Sequence, residues 1–394
     1  MDKDTAGGLE ERNMQFRDLH AQYEVLKEEI NKGIQEVLAS AGFILGKPVT
    51  ELEEKLAAYV GRKYCVSCGN GTDALQLSLM AMDIGPGDAV FTSDFTYFAS
   101  AGCASILGAT PVLADIDLNT FNLSPDALEE AIERTLAEGK LVPRVIIPVD
   151  LFGLPADYSK IEKIAKKYNL KILEDGAQGF GGNINGKMAC SFGDISITSF
   201  FPAKPLGCYG DGGAIFTDDE AIAIRLKSLR VQGKSPTDKY DNREIGINSR
   251  LDTLQAAILL PKLKAFAEYE LNAVNRAAAW YGERLRDNVV IPSVLEGFYS
   301  SWAQYTILCR DEEERSFVQS ALKEKDIPSM IYYPRGLHQQ KAYSEMQLPD
   351  EWYPNTIEAT KRVLSLPMHP YLEEKTVDEI AKVINSVCER RNRE

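Results

Sequence analysis

The chain has 394 residues, of which 44% are hydrophobic and 26% are charged. This balance is typical of a soluble globular protein with more than one domain. The formal net charge of -14 argues against nucleic-acid binding, which requires a basic face. No apolar run reaches the roughly 20 residues of a transmembrane helix, so we expect no membrane-spanning segment.

The cysteines, the histidines and the polar N-terminal residues predict the cellular location, the absence of a metal site and a disordered tail. Seven scattered cysteines and the lack of a signal-peptide pattern favour a reducing, cytoplasmic location. Cys65 and Cys68 have a redox-type spacing, but no second pair completes a metal site. We interpret both as small buried residues, with redox or zinc chemistry as the less favoured alternative. The three histidines lie far apart, so no metal site is expected, and residues 1–15 are predicted to be a disordered tail.

The predicted elements alternate along the first half of the chain. Two amphipathic helices, at 23–40 and 51–59, precede strands at 64–67, 89–92, 110–114, 144–149 and 171–174. Helices are predicted between these strands, at 74–82, 99–107, 125–137 and 158–167. This alternation indicates βαβ units, and therefore an α/β protein with a mostly parallel sheet.

The domain organisation follows from the later elements. Two short strands flank residues 202–213, and a long apolar helix at 250–269 is predicted to carry the chain out of the sheet domain. The remainder mixes helices and strands, such as one at 303–308. We therefore predict a large domain at 16–265 and a smaller C-terminal α/β domain at 266–394.

The first of three motifs is the glycine-rich run Ser67-Cys68-Gly69-Asn70-Gly71-Thr72-Asp73. It joins a predicted strand to a predicted helix, so the free N–H groups of the helix start could bind an anion. Glycines there allow a phosphate to approach the backbone closely. It is not a Walker P-loop, because no Gly-Lys-Ser/Thr follows. An ordinary strand-to-helix turn is the alternative.

The second motif is Glu174-Asp175, which follows the apolar residues of a predicted strand. In open α/β sheets, ligands bind just beyond the carboxyl ends of the strands. A carboxylate at this position could pair with a protonated pyridine nitrogen and raise its pKa. The alternative is an aspartate that caps the next helix.

The third motif is Lys204, in the run Ser199-Phe200-Phe201-Pro202-Ala203-Lys204-Pro205-Leu206-Gly207. This tight Gly/Pro-rich connection joins two predicted buried strands. A buried ammonium is costly unless it is paired or used in chemistry. Burial lowers the pKa of a lysine, and the neutral amine is the form that bonds to an aldehyde. An exposed loop lysine is the alternative for Lys204 taken alone.

Together the three motifs indicate pyridoxal phosphate (PLP): a phosphate cradle, an acid for the ring nitrogen and a lysine for the aldehyde. From about residue 16 to 372 the chain resembles the DegT/DnrJ/EryC1/StrS sugar aminotransferases. The resemblance implies the type I (aspartate aminotransferase-like) fold. It rests on Phe43-Ile44-Leu45-Gly46, Asn70 to Leu75, Asp94-Phe95-Thr96-Tyr97, Glu174-Asp175, Ser199 to Lys204, Gly246 to Arg250, and Leu364 to Pro367.

The resemblance implies a role around the cofactor ring for each of four residues. Lys204 would bond to the cofactor aldehyde and then move protons between substrate carbon and cofactor. Asp175 would hold the pyridinium nitrogen, and Gln178 would lie beside the phenolic oxygen. Tyr97 would stack on the ring face, as offset aromatic contact allows. The family's dehydratase branch has histidine in place of this lysine, so Lys204 favours transamination.

The resemblance also implies how the phosphate is held. Gly71, Thr72 and Ser199 would bind it within one subunit, and Asn248 would reach it from the neighbouring subunit. The active unit would therefore be a homodimer with shared active sites.

The implied substrates are glutamate, as amino donor, and a nucleotide-linked keto-sugar. The chain looks similar to enzymes that aminate C3 of a UDP-linked 3-keto-hexuronate derived from N-acetylglucosamine. Arg250 would grip the hexuronate carboxylate, and Tyr332, Tyr333 and His338 are further candidate substrate contacts. Tyr332 stands where the resemblance leads us to expect histidine in His-Tyr-Pro.

Three alternatives stay open at this point. Within the same class, the substrate could be a 3- or 4-keto-deoxysugar on UDP or dTDP. A PLP-binding regulator without turnover is an alternative of another class, against which the intact Lys204 and Asp175 argue. The basic residues Arg230, Lys234, Lys239 and Arg243 are expected near the anionic substrate, with a solvated loop as the alternative.

Overall fold

The structure is a computed structural model that describes residues 14–235, 237–238 and 240–391. Its α-helices include nearly all those predicted, with ends shifted by up to four residues. In chain order they are α1 (Leu19–Ser40), α2 (Lys47–Val60), α3 (Gly71–Ala81), α4 (Ala99–Ile106), α5 (Pro125–Glu138), α6 (Tyr158–Tyr168), α7 (Glu220–Leu229), α8 (Thr253–Ala265), α9 (Leu271–Leu285), α10 (Glu312–Lys323), α11 (Pro354–Arg362) and α12 (Glu374–Arg391).

The strands form one large sheet and two small ones. The strands of the large sheet are β1 (Tyr64–Cys68), β2 (Asp88–Ser93), β3 (Thr110–Ala114), β4 (Val142–Ile147), β5 (Lys171–Asp175), β8 (Ile195–Ser199) and β9 (Gly213–Thr217). These seven strands lie in the order β1-β9-β8-β5-β4-β2-β3. The small sheets contain β6 (Asn183–Ile184), β7 (Lys187–Met188) and β10 (Phe298–Tyr299), and β11 (Tyr305–Leu308) with β12 (Val363–Leu366).

The large sheet confirms the predicted mixed, mostly parallel arrangement. The strands β3, β2, β4, β5 and β8 run parallel to one another. The antiparallel pairs involve β9 and β1, because a hairpin returns the chain from β8 to β9. As β5 and β8 are parallel neighbours, their carboxyl ends lie at the same edge of the sheet, where ligands bind in such folds.

Local sequence signals explain the ends of several helices. In α5, the Ser124 side chain accepts a hydrogen bond from the backbone of Ala127, and Pro125 occupies the first helical position. Gly139 ends the helix with φ at 65°, a conformation that glycine adopts without strain. The bounds predicted for this helix were accurate because these signals are local.

The predicted helix at 250–269 differs from the structure at both ends. It begins at Thr253, so residues 248–252 form a loop, and it continues through a π-helical turn, Phe266–Glu270, into α9. The predicted boundary at 265/266 therefore lies inside a continuous helical segment. The division into two domains stays a prediction.

The C-terminal part of the chain has its own hydrophobic core. Helices α9, α10 and α12 and strands β11 and β12 supply its buried side chains, which include Tyr281, Tyr305 and Ile384. The start of the described chain joins this core: Met14 packs against it, and Phe16 accepts a backbone hydrogen bond from Met368. Residues 1–13 of the predicted tail lie outside the described residues.

Three further properties bear on the expectations from sequence. All seven cysteines are buried and free of disulfides, which confirms the interpretation of Cys65 and Cys68 as buried residues. Among the helices of residues 14–391 that the structure describes, none is long and apolar enough to cross a bilayer. The described His, Cys, Asp and Glu side chains form no group of three suited to a metal ion.

Candidate active site

Lys204 lies in the hairpin that joins β8 to β9, at the sheet edge where β5 also ends. The hairpin is wound tightly, since the backbone of Lys204 donates to the carbonyl of Phe201 at 2.8 Å. A Cβ atom on Gly207 would come within 2.4 Å of the Pro202 carbonyl oxygen, so only glycine fits there. The Lys204 side chain is half-buried.

Asp175 is the last residue of β5 and is only 4% exposed. Its Oδ2 accepts a hydrogen bond from the hydroxyl of Ser100 at 2.8 Å, and its Oδ1 accepts from the backbone of Ala177 at 3.2 Å. Turns, rather than a helix, follow Asp175 up to β6, which excludes the helix-cap interpretation. The carboxylate is instead held at a ligand-binding edge.

The charges of Lys204 and Asp175 influence each other. Burial lowers the pKa of Lys204, the Asp175 carboxylate acts in the opposite direction, and the Arg17 guanidinium adds to the lowering. Burial raises the pKa of Asp175, against the hydrogen bonds from Ser100 and Ala177 and the charge of Lys204. The site therefore favours a neutral amine near neutral pH more than water does.

Gln178 has its carboxamide fixed at both ends. Its Oε1 accepts from the backbone N–H of Phe152 at 2.8 Å, and its Nε2 donates to the hydroxyl of Tyr333 at 3.4 Å. The Tyr333 ring packs edge-on against Phe95 with centroids 5.8 Å apart. The structure thus brings the predicted residues Gln178 and Tyr333 together. Because the Gln178 oxygen already accepts from Phe152, the side chain offers its NH₂ group as a donor on the other side.

The predicted phosphate cradle is assembled at the start of α3. From the sequence we expected Thr72 and Asp73 at the cap positions of this helix, but Asn70 caps it by accepting a hydrogen bond from the backbone N–H of Asp73. A Cβ atom on Gly71 would lie 2.7 Å from the Cβ of Ser199, so glycine allows the two segments to meet. The first N–H groups of a helix have no partner within it, and here they lie beside the Ser199 hydroxyl.

Thr72 and Tyr97 line one cavity of about 590 Å³. Phe98 and Tyr343 stack in its wall with centroids 5.4 Å apart. Tyr97 is 59% exposed, as a residue must be if it is to cover a ligand. The cavity adjoins the cradle, so Tyr97 and the phosphate site belong to one region.

Asn248 and Arg250 lie in the loop before α8, next to the cradle of their own chain. Ser249 between them donates to Asp73 at 2.6 Å and accepts from the backbone of Gly69 at 2.8 Å. Asn248 is exposed and Arg250 is half-buried. Among the described residues, no carboxylate lies within ion-pair distance of Arg250.

Arg230, the first of the four basic residues expected near the anionic substrate, is not available to bind it. Arg230 is buried and pairs with Glu53 at 2.6 Å, and it also donates to the Ser67 carbonyl at 2.7 Å. Its charge is therefore used inside the protein and not for substrate. Lys234 and Arg243 are exposed, whereas Lys239 lies outside the described residues.

His338 is buried, with carboxylates at both ring nitrogens. Its Nδ1 lies 2.6 Å from Asp94 and its Nε2 lies 3.1 Å from Asp350, while its ring stacks on Tyr353. A direct substrate contact through Nε2 would have to replace Asp350. Burial opposes the charge of His338, but the hydrogen bond and charge of Asp94, with Asp350, raise its pKa.

Tyr332, the remaining candidate, is half-buried, and its ring meets Phe16 edge-on at 6.2 Å. Two residues at the site were not identified from the sequence. Ser100 holds Asp175, and its polarity within the small apolar run of α4 was the one signal of its role. Arg17 donates to the Pro205 carbonyl at 3.1 Å, and no local pattern marked it.

The residues present fit pyridoxal phosphate. The Gly71–Ser199 contact makes a cradle that any side chain at Gly71 would fill. A buried carboxylate, Asp175, suits the ring nitrogen, and the depressed pKa of Lys204 suits bonding to an aldehyde. These groups converge at one sheet edge, so the arrangement can hold and activate this cofactor.

Curated proteins with similar sequences act on nucleotide sugars or carry regulatory names. The chain is 44% identical to UDP-2-acetamido-2-deoxy-3-oxo-D-glucuronate aminotransferase of Pseudomonas aeruginosa, over 95% of this chain and 100% of the relative. It is 42% identical to the pleiotropic regulatory protein of Geobacillus stearothermophilus, over 92% of this chain and 95% of the relative. It is 40% identical to dTDP-3-amino-3,6-dideoxy-alpha-D-galactopyranose transaminase of Aneurinibacillus thermoaerophilus, over 94% and 98%.

Solved structures share the fold. A DegT DnrJ EryC1 StrS aminotransferase from Brucella abortus superposes with a TM-score of 0.92 at 46% identity, over 95% of this chain and 99% of that one. The PLP form of the putative sugar aminotransferase Spr1654 from Streptococcus pneumoniae gives a TM-score of 0.86 at 26% identity, over 92% and 96%.

These findings confirm the type I fold, the aminotransferase activity and the cofactor pyridoxal phosphate. The family model for these aminotransferases matches residues 24–385, which is most of the chain. The site described above supplies the lysine, the acid and the phosphate cradle that this activity needs. The chain therefore belongs to the DegT/DnrJ/EryC1/StrS aminotransferase family.

Proposed function

We propose that the chain transfers an amino group from glutamate to C3 of a UDP-linked 2-acetamido-3-keto-hexuronate, in cytoplasmic amino-sugar synthesis for a surface polysaccharide. One observation carries this choice of substrate. Arg250 is a half-buried guanidinium without an ion-pair partner in the described residues. It occurs in a chain 44% identical to an aminotransferase of a UDP-linked 3-oxo-glucuronate.

The cofactor residues divide the work around Lys204. Bound pyridoxal phosphate supplies an electron sink for the substrate carbon. Lys204, as a neutral amine, would move a proton between that carbon and the cofactor. Asp175 would keep the ring nitrogen protonated, Gln178 would donate to the phenolic oxygen, and Tyr97 would cover the ring face.

Phosphate binding completes the cofactor site. Gly71, Thr72 and Ser199 offer backbone and hydroxyl donors at the start of α3, where the helix dipole also favours an anion. Asn248 extends from the loop that Ser249 fastens to Gly69. We assign it to the phosphate of the neighbouring subunit, since its side chain is exposed.

The active unit in this proposal is a homodimer with shared sites. Large apolar side chains near the site are exposed, including Phe201 at 53% and Ile245 at 88%. Exposed apolar groups that cluster around a site mark surfaces that a partner covers. A second copy of the chain would bury them and bring its Asn248 and Arg250 to the site.

The substrate contacts follow from charge and shape. The planar fork of Arg250 suits the hexuronate carboxylate. Tyr333 presents its hydroxyl beside Gln178, and the ring of Tyr332 lies 5.8 Å from that of Tyr333. Two neighbouring aromatic rings with hydroxyls suit a sugar ring. His338 can contribute directly only through Nε2, and it otherwise acts by holding the Asp94 segment.

A deoxysugar nucleotide is the second candidate. The chain is also 40% identical to a dTDP-3-amino-dideoxyhexose transaminase, and Tyr332 replaces the histidine expected in hexuronate enzymes. A deoxysugar has no carboxylate, so Arg250 would have no partner in that complex. The two candidates therefore predict different effects of replacing Arg250: loss of activity with a hexuronate and little change with a deoxysugar.

The reverse reaction tests the proposal. Each of three amino-sugar nucleotides is incubated with 2-oxoglutarate, and glutamate formation is measured. Two are UDP-linked 2-acetamido-3-amino sugars that differ only at C6, as carboxylate or hydroxymethyl, and the third is a dTDP-linked 3-amino-deoxysugar. We expect the carboxylate sugar to be favoured by about 10- to 100-fold in kcat/KM, the effect of one charged hydrogen-bonded pair.

Arg250→Met provides the matched control. It should remove that preference and leave the hydroxymethyl sugar nearly unaffected. Preference for the deoxysugar, or an unchanged preference in the variant, would reject the hexuronate. Glutamate alone should also convert the cofactor from its aldehyde to its amine form, a change that absorbance spectra follow. Absence of this conversion would favour a regulator without turnover.

A further inference from the structure

Two buried acids, Asp150 and Glu174, lie directly behind the cofactor edge of the sheet. Both residues are 0% exposed. Glu174 precedes Asp175 in β5, so their side chains lie on opposite faces of the strand. Asp150 follows the neighbouring strand β4, and its backbone N–H donates to the Asp175 carbonyl at 3.1 Å.

The hydrogen bonds of the two carboxyl groups are unequal. Both oxygens of Glu174 accept backbone N–H groups, one from Cys190 and one from Phe192, the latter at 2.6 Å. The Oδ1 of Asp150 accepts twice, from the backbone of Ala156 at 2.9 Å and from the hydroxyl of Tyr158 at 2.8 Å. The Oδ2 of Asp150 is buried and has no donor among the described residues.

The titratable groups that act on this pair of acids are Tyr158 of α6, Cys190 after β7, and Asp175 of β5. Burial raises the pKa of Tyr158 and of Cys190, so both stay neutral near pH 7, and none of the three can supply a positive charge. Two adjacent buried carboxylates cannot both ionise without a large cost. Burial raises the pKa of both carboxyl groups, so the pair keeps a proton to higher pH than either acid would in water.

We propose that Asp150 and Glu174 share one proton, carried on Asp150 Oδ2 and donated to Glu174, and that this acid pair positions Asp175 and Gln178. The unequal hydrogen bonds indicate where the proton lies. A neutral acid has a carbonyl oxygen that accepts and a hydroxyl that donates, which matches Oδ1 and Oδ2 of Asp150. A carboxylate accepts at both oxygens, which matches Glu174.

Asp150 and Glu174 are linked to Asp175 and Gln178 by short covalent and hydrogen-bonded paths. Asp150 is two residues before Phe152, whose N–H fixes the amide of Gln178. Gly179 packs so closely on Asp150 that a Cβ there would lie 2.4 Å from the Asp150 Cβ. If the shared proton is lost, repulsion separates the Asp150 loop from β5 and displaces both cofactor contacts.

Asp150→Asn and Glu174→Gln form a matched test, since each replaces one acid by its amide. In Asp150→Asn the new amide nitrogen donates where the Oδ2 hydroxyl did, so the hydrogen bond to Glu174 is kept without a titratable proton. In Glu174→Gln the amide NH₂ instead faces a backbone N–H of Cys190 or Phe192. The readouts are the unfolding midpoint of the full chain, with and without cofactor, and the Kd for pyridoxal phosphate, each from pH 5 to pH 9.5.

The wild-type midpoint should fall as pH rises towards and past neutrality. The folded pair keeps a proton that the unfolded chain releases at lower pH, so folding is favoured on the acid side. Asp150→Asn should make this slope shallower, leaving the contribution of His338. It should also make the Kd for pyridoxal phosphate less dependent on pH than in wild type, with the dependence due to Lys204 retained. Glu174→Gln should weaken cofactor binding by about tenfold or more at every pH, as expected when a buried group loses its partner.

The proposal is overturned if Asp150→Asn keeps the full wild-type dependence of the unfolding midpoint on pH. It is also overturned if both variants change the midpoint and the Kd equally. If Glu174→Gln fails to fold, the slope of Asp150→Asn alone decides. The inference rests on the proposed cofactor roles of Asp175 and Gln178 but on no sugar substrate. Its failure is therefore distinguishable from failure of the proposed hexuronate reaction.

Discussion

Arg17 donates a hydrogen bond from its guanidinium Nη2 to the carbonyl oxygen of Pro205, 3.1 Å away. Pro205 directly follows Lys204, so a residue from the start of the described chain anchors the hairpin of the reactive lysine. Burial lowers the pKa of Arg17 to about 10, against the attraction of Glu270. The guanidinium still carries its charge at neutral pH and acts on Lys204.

Replacing Arg17 should therefore raise the pKa of Lys204. In Arg17→Met the positive charge beside the lysine is lost, so its ammonium form becomes more favourable and less neutral amine is present near neutral pH. The pKa can be measured on the apoprotein by reductive methylation with ¹³C-formaldehyde and NMR, with Lys204→Ala identifying the signal. Arg17→Lys keeps the positive charge and should shift the pKa of Lys204 less. The same Lys204 pKa in wild type and in Arg17→Met would contradict the prediction.

Lys204→Ala should abolish transamination and leave a folded protein that still binds pyridoxal phosphate without a covalent bond. Loss of a positioned acid–base group costs about 10²- to 10⁴-fold in rate, and here the covalent attachment is lost too. Turnover, cofactor retention after dialysis and circular dichroism measure the three parts. Near-normal turnover would remove Lys204 from the central role.

Asp175→Asn should reduce turnover by about 10- to 100-fold with only a modest loss of cofactor. The carboxylate keeps the ring nitrogen protonated, and a hydrogen bond to a charged group contributes about 1.5–3 kcal/mol. Ser100→Ala, which removes the 2.8 Å bond to Asp175, should have a smaller effect in the same direction. Steady-state kinetics that match wild type in both variants would refute the role of Asp175.

The shared-site dimer predicts complementation between inactive subunits. Lys204→Ala subunits are mixed with subunits that carry both Asn248→Ala and Arg250→Ala. If Asn248 and Arg250 act across the interface, each mixed dimer has one site that lacks all three groups and one intact site, so activity returns. Absence of recovery, with subunit exchange demonstrated by mass labelling and both parents inactive, would place all three residues in one subunit's site.

His338 should make folding stability depend on pH. Its pKa is raised in the folded protein, so the stabilisation is fully present below the unfolded value of about 6.5 and is lost as pH rises through the folded value. Urea unfolding at several pH values should show this fall in wild type and a smaller one in His338→Gln. Parallel curves for the two proteins would show that His338 does not cause it.

Local patterns predicted much of the fold and the core of the site. The alternation of strands and helices up to β5 follows from side-chain periodicity, which short segments carry by themselves. The motifs around Gly71, Asp175 and Lys204 also lie where strands end, and strand ends are visible in sequence. For this reason the lysine, the acid and the cradle could be identified from the sequence.

Contacts between distant segments depended on the tertiary structure. Arg17 and Pro205 are 188 residues apart, and His338 and Asp94 are 244 apart, so neither pair leaves a periodic trace. Arg230 was expected at the substrate, but packing buries it against Glu53. The sequence determined which chemistry the chain carries because motifs are local, whereas the partners that set each group's charge and orientation were decided only by packing across the sheet.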